Sequence, residues 1–134
     1  MPLLQRNTER NPRAAGVVAV AALRWGDVDS AIAAMAPAAA ADVVVGADLV
    51  YRQPNVQPLL AALSQTLRVG GVAVFALDLQ HCPEAVDDFI ARAKQPDAER
   101  DAVARYDVRQ VTANELPQGY ACSDVCVVEL WRLS

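Results

Sequence analysis

Apolar residues fall into short blocks with two different periods. From Val17 to Leu23 the run Val-Val-Ala-Val-Ala-Ala-Leu is apolar at every position, the pattern of a strand covered on both faces. Arg24-Trp25-Gly26 ends it, and Asp27 to Ala36 predicts a short helix stopped by Pro37, because proline disfavours the helical region for the residue before it. Asp42 to Ala47, Asp-Val-Val-Val-Gly-Ala, is a second strand of the buried type, its three consecutive β-branched residues favouring strand over helix.

Helical spacing takes over next. Val56, Leu59, Leu60, Leu63 and Leu67 recur at i, i+3, i+4, i+7 and i+11, with Asn55 as N-cap and Pro58 in the first turn. Gly70-Gly71 is expected to close that helix before a third strand, Val72 to Leu77. Pro83 opens another helix, with Val86, Phe89, Ile90 and Ala93 on one face and Glu84, Asp87 and Asp88 near the positive end of its dipole. Tyr106 to Val111 and Val125 to Trp131 then read as two strands of a long hairpin. Strands and helices in this alternation predict an α/β fold, an open and mostly parallel sheet with helices on both faces.

In such a sheet, ligands bind beyond the carboxyl ends of the strands. The first candidates are therefore Trp25 after the first strand and Ala47, Asp48 and Tyr51 after the second. A carboxylate placed directly after an apolar strand should be half-buried, where an ionised group is rarely left without a partner. The plainer alternative is that Asp48 caps a turn and Tyr51 packs. Asp78 and His81 follow the third strand at the same edge, where His81 could touch substrate; the plainer readings are a solvated turn residue and a loop histidine near the rim. Trp131 reads as core or sheet edge.

Leu23-Arg24-Trp25-Gly26 and, downstream, Asp48-Leu49-Val50-Tyr51 resemble the Leu-x-Trp-Gly and Asp-x-x-Tyr motifs of protein-lysine methyltransferases of the seven-strand, S-adenosylmethionine-dependent class. The stretch from Leu3 to Asn11 looks like that family's helix after its second strand, and Leu67-Arg68-Val69-Gly70-Gly71 like the turn before its fifth strand. The resemblance implies a three-layer Rossmann-like sheet and methyl transfer to a lysine of a protein substrate. It also implies roles: Trp25 against the adenine of S-adenosylmethionine, Ala47 lining the cofactor cleft, and Asp48 and Tyr51 facing the methyl donor and the amine. A related motif for nucleic-acid bases or glutamine amides has Pro-Pro where this chain has Leu49 and Val50. A small-molecule amine acceptor stays open.

One part of that family's pattern is missing from these 134 residues. Gly16 is the first glycine, and no strand with a Gly-x-Gly turn occurs. The fold expected for residues 1–134 is thus a single partial domain, an incomplete sheet without the first two strands. Met1 is expected to be a shortened start, and the isolated chain to bind cofactor poorly or not at all. The alternative from another class is a non-catalytic relic of such an enzyme, kept as an interaction module.

Composition trims the options further. A chain that is 54 % hydrophobic can bury a core without disulfides or metals. Net charge is −4 and the eleven arginines and single lysine never cluster, which argues against nucleic acid or an anionic membrane as partner. Cys82, Cys122 and Cys126 form no Cys-x-x-Cys pair and read as free thiols, with no metal expected. No signal-peptide pattern or plausible transmembrane span appears, so a cytoplasmic or nuclear protein is expected.

Overall fold

In a computed structural model of the chain, residues 2–10, 20–27, 29–31, 40–94 and 104–134 are described. The elements are α1 (Pro2–Arg10), β1 (Ala41–Ala47), α2 (Val56–Thr66), β2 (Leu67–Asp78), α3 (Pro83–Lys94), β3 (Tyr106–Val111) and β4 (Val125–Arg132). The four strands form one sheet in the order β1-β2-β4-β3. The β1–β2 pair is parallel, whereas β4 runs antiparallel to both β2 and β3. The architecture is mixed α/β with the expected C-terminal hairpin, but only one of the three strand pairings among the described residues is parallel, where a mostly parallel sheet was expected.

Period-2 alternation explains how β2 holds the molecule together. Ala73, Phe75 and Leu77 point to one face, where Val44 and Gly46 of β1 and Leu130, Val128 and Cys126 of β4 stand opposite them. Onto that face pack the apolar stripes of α2 (Val56, Leu59, Leu60, Leu63) and α3 (Ala85, Val86, Phe89, Ile90, Ala93). The rings of Phe75 and Phe89 meet with centroids 5.9 Å apart. Each fully buried Leu, Phe or Val here contributes on the order of 1.5–3 kcal/mol of transfer free energy.

The opposite face is different. Val43 and Val45 of β1 keep 57 % and 77 % of their surface exposed, and Trp131 of β4 lies there too, about half open. Among the described residues, α2 and α3 share one side and no helix covers the other. The buried-type composition of β1 is therefore only half satisfied. β1 is also an edge strand, and its outer ladder positions have no strand beside them among the described residues.

The structure departs from the sequence reading at several further points. Residues 20–24 form no strand, while residues 17–19 lie outside the described residues. A strand needs a neighbour for its ladder, and none stands beside this segment among the described residues. Residues 29–31 are helical as expected, and residues 32–39, including Pro37, lie outside the description. Helix α2 stops at Thr66, before the glycine pair, so Leu67 already opens β2 and is buried there. Gly70 still takes a positive φ of 75°, and a Cβ on Gly71 would meet the Asp42 carbonyl at 2.9 Å, so the pair shapes the start of the strand and not the end of the helix. Asn55 occupies the N-cap position without a side-chain cap, because the chain enters α2 through a 3-10 turn at Gln53–Asn55.

Candidate functional site

Parallel pairing of β1 and β2 brings their carboxyl ends to one edge, with Ala47 opposite Ala76. The ladder continues one step beyond β1, since the Asp48 N–H donates to the Ala76 carbonyl at 3.0 Å. Asp48 then takes φ = 53°, the left-handed conformation that a non-glycine residue adopts at a cost. It is the one described non-glycine residue in that region, and it directly follows the first parallel strand.

That reversal folds Leu49 back over Gly46. A Cβ at position 46 would meet Leu49 Cδ1 at 2.5 Å and the Phe75 ring at 3.1 Å, so glycine makes room for the turn. Val50 is buried in the main core and pins the loop from below. Asp48 and Tyr51, on either side of this anchor, are left facing solvent. The expected half-burial of Asp48 is therefore corrected. An edge strand with one uncovered face cannot exclude water from its exit.

At the end of β2 a second short loop comes alongside. The Gln80 N–H donates to Asp78 Oδ1 at 2.7 Å, and His81 Nδ1 is hydrogen-bonded to Asp78 Oδ2. The Gln80 N–H first, and His81 after it, hold the Asp78 carboxyl below the usual carboxylate range. The Cys82 carbonyl accepts from the Ala85 and Val86 N–H groups, which starts α3 just past the loop.

The two loops enclose a cavity of about 250 Å³ lined by Asp48, Val50, Tyr51, Asp78 and His81. It gathers two carboxylates, one imidazole and one phenol over a buried valine. A larger hollow of about 380 Å³ lies along α3 and is lined by Asp87, Ile90, Ala91, Lys94 and Gln110. Four of those five residues come from one helix stripe and none is at the carboxyl edge of the parallel strands, so its size does not outweigh the chemistry of the smaller cavity.

Of the sequence candidates, Asp48 and Tyr51 meet in the cavity. Ala47 ends β1 beside it, with its side chain on the open face of the sheet opposite Ala76. Trp25 does not line it. The indole is half-buried against the main core, in a turn whose Gly26 has φ = 80°. A Cβ on Gly26 would touch Pro58 at 3.4 Å, so the turn rests on the first turn of α2, at the end of the sheet where β1 exits. Asp78 and His81 were legible at this edge, chiefly as loop residues, with substrate contact left open for His81. The signal that ties them together is an Asp-x-x-His spacing across a turn, which lets carboxylate and imidazole meet.

A family model described as "Lysine methyltransferase" matches residues 1–96, spanning α1 to the end of α3 and including every residue of the cavity. The chain belongs to the lysine methyltransferase family. Among solved structures, the N-methyltransferase NodS from Bradyrhizobium japonicum WM9 superposes with a TM-score of 0.55 at 17 % identity, covering 100 % of this chain and 70 % of that one. At that identity the likeness shows a shared fold. No curated protein matches the chain. Among the described residues of this methyltransferase-family chain, no helix is long and apolar enough to cross a membrane, and no group of three or more His, Cys, Asp or Glu could hold a metal. Cys82, Cys122 and Cys126 are free thiols.

Proposed function

We propose that the chain serves S-adenosylmethionine-dependent methyl transfer to a lysine side chain of a protein. The observation that carries this reading is the shared cavity of Asp48 and Tyr51, the two residues of the Asp-x-x-Tyr motif, at the carboxyl edge of the parallel strands. The cavity is smaller than the roughly 300–1,000 Å³ of a typical small-molecule site, so it suits the reacting groups and not a whole cofactor.

The lining fits that chemistry. Both the sulfonium donor and the lysine ammonium are cations, and two carboxylates and an aromatic ring favour cations. S-adenosylmethionine supplies an electrophilic methyl group when bound. Asp48 would hold the incoming nitrogen, and Tyr51 would order the site around it. Trp25, on the neighbouring turn, would offer an apolar face to the adenine, and Ala47 a small side chain beside the cofactor. Alignment of nitrogen, methyl carbon and sulfur provides much of the acceleration.

The test is to incubate the longest in-frame product of the gene with methyl-labelled S-adenosylmethionine and protein extract, then hydrolyse the extract and separate its amino acids. Label in methyl-lysine supports the reading; label elsewhere, or none, refutes it. The open apolar face of the sheet favours a second reading, a methyltransferase-like interaction module without catalysis. That alternative predicts a stable protein that shows no thermal shift with S-adenosylmethionine.

A further inference from the structure

The deprotonation step has no agent in the reading above, and the following inference rests on that reading. A lysine ammonium with a reference pKa of about 10.4 must lose a proton before its nitrogen can attack. Asp48 is unsuited to take it, because a carboxylate beside the ammonium stabilises the charged form. A phenol such as that of Tyr51 serves as a hydrogen-bond donor and weak acceptor, which suits it to ordering the site and not to taking a proton. We propose that His81 is the proton acceptor, held for the task by Asp78 as a positioning residue.

The hydrogen bonds determine which ring nitrogen is available. Asp78 Oδ1 accepts from Gln80 and Asp78 Oδ2 takes His81 Nδ1, so both oxygens are engaged. An ionised carboxylate only accepts, which puts the hydrogen of a neutral imidazole on Nδ1 and a lone pair on Nε2. Among the described residues no hydrogen bond engages Nε2. The same ring lines the cavity with Asp48 and Tyr51, and its side chain is 79 % exposed, so a proton taken up there can leave to water.

The ammonium passes one proton to Nε2, giving a neutral amine and an imidazolium. The amine lone pair forms a bond to the methyl carbon as the carbon–sulfur bond breaks, its electron pair staying on sulfur. The product is a methylammonium with one positive charge and a neutral thioether, and His81 returns its proton to solvent. The titratable groups sharing the cavity with His81 are Asp48, Tyr51 and Asp78.

His81 is the sole histidine of the chain, so its imidazole Cε1–H gives one NMR resonance in the full-length chain. The probe is n-butylammonium, a mimic of the lysine side chain. We expect a saturable shift of that resonance as the ammonium settles beside the ring. Asp48→Asn should weaken the response at least tenfold, and Asp78→Asn should shift the ring's balance between Nδ1–H and Nε2–H tautomers, read in its nitrogen resonances, while the probe still binds. In methyl transfer to protein lysines, His81→Gln should lose about 100-fold at pH 7, within the range for general bases. That loss should shrink as pH rises towards the amine pKa, with S-adenosylmethionine affinity unchanged. A resonance blind to the probe overturns the proposal, and so does His81→Gln with wild-type rate and pH profile. If the wild type transfers no methyl group to lysine, the functional reading fails by itself, and the NMR titration still decides whether an ammonium is held beside His81.

Discussion

The two faces of the sheet are made from similar residues and have opposite fates. On one, Ala73, Phe75, Leu77, Val128 and Leu130 are sealed beneath α2 and α3. On the other, Val43, Val45 and Trp131 stand open, and towards β3 the surface turns ionic, with Arg109 bonded to Glu129 at 3.0 Å and also paired with Glu115. Apolar strand composition records what a strand can bury. Whether it is buried depends on which helices arrive, and both packed helices arrive on one side.

Phe89→Ala on the covered side should produce the largest effect. Its ring is fully buried against Phe75, and removing it should cost about 3–5 kcal/mol in urea unfolding. Val45→Thr on the open side should move stability by less than about 0.5 kcal/mol, as for other surface changes. Comparable losses in the two variants would mean the open face is covered in solution.

Alkaline pH should probe the covered face. The Tyr106 hydroxyl is buried without a hydrogen-bond partner among the described residues, and burial pushes its pKa up to about 12. A raised folded-state pKa stabilises the fold fully below the ordinary value of 10, and that contribution is lost as pH rises through 12. Tyr106→Phe should therefore remove the alkaline loss of stability between these values. At pH 7 it should also stabilise by up to about 1 kcal/mol, since an unsatisfied buried polar atom is deleted. A destabilised variant would show that the hydroxyl has a partner.

Acid should probe the open face, with the smallest effect. The Thr112 N–H, then the Thr112 hydroxyl and Arg109, hold Glu115 down to about 2. A depressed folded-state pKa gives stability that is complete above the ordinary value of 4.5 and disappears as pH falls through 2. Glu115→Gln should flatten thermal stability across that acid window and leave the Tyr106 limb untouched. An unchanged acid limb would mean the carboxylate is solvated.

Much of this was legible in the residues. The helical stripes of α2 and α3, the strands β1, β3 and β4 and the hairpin follow from spacing alone, because each element's period is local. Coverage was not legible. The half-burial expected for Asp48 failed because a chain of valines cannot announce that one of its faces stays wet. The segment ending at Leu23 has strand composition, yet its described part pairs with nothing, since a ladder is a property of two segments. At the site, Asp48 and Tyr51 came from a motif that places them three residues apart across one turn. Asp78 and His81 joined the candidate site only when the parallel register of β1 and β2 laid the two loops side by side.

The most direct test compares Trp25→Ala and Asp48→Ala with wild type in the longest in-frame product of the gene, measuring S-adenosylmethionine affinity by calorimetry and methyl transfer to protein lysines in parallel. If the rim of β1 and β2 holds the acceptor while the Trp25 turn holds the cofactor, Trp25→Ala weakens binding at least tenfold, whereas Asp48→Ala abolishes transfer with binding within about twofold of wild type. Full transfer by Asp48→Ala would remove the cavity from the reaction and contradict the account.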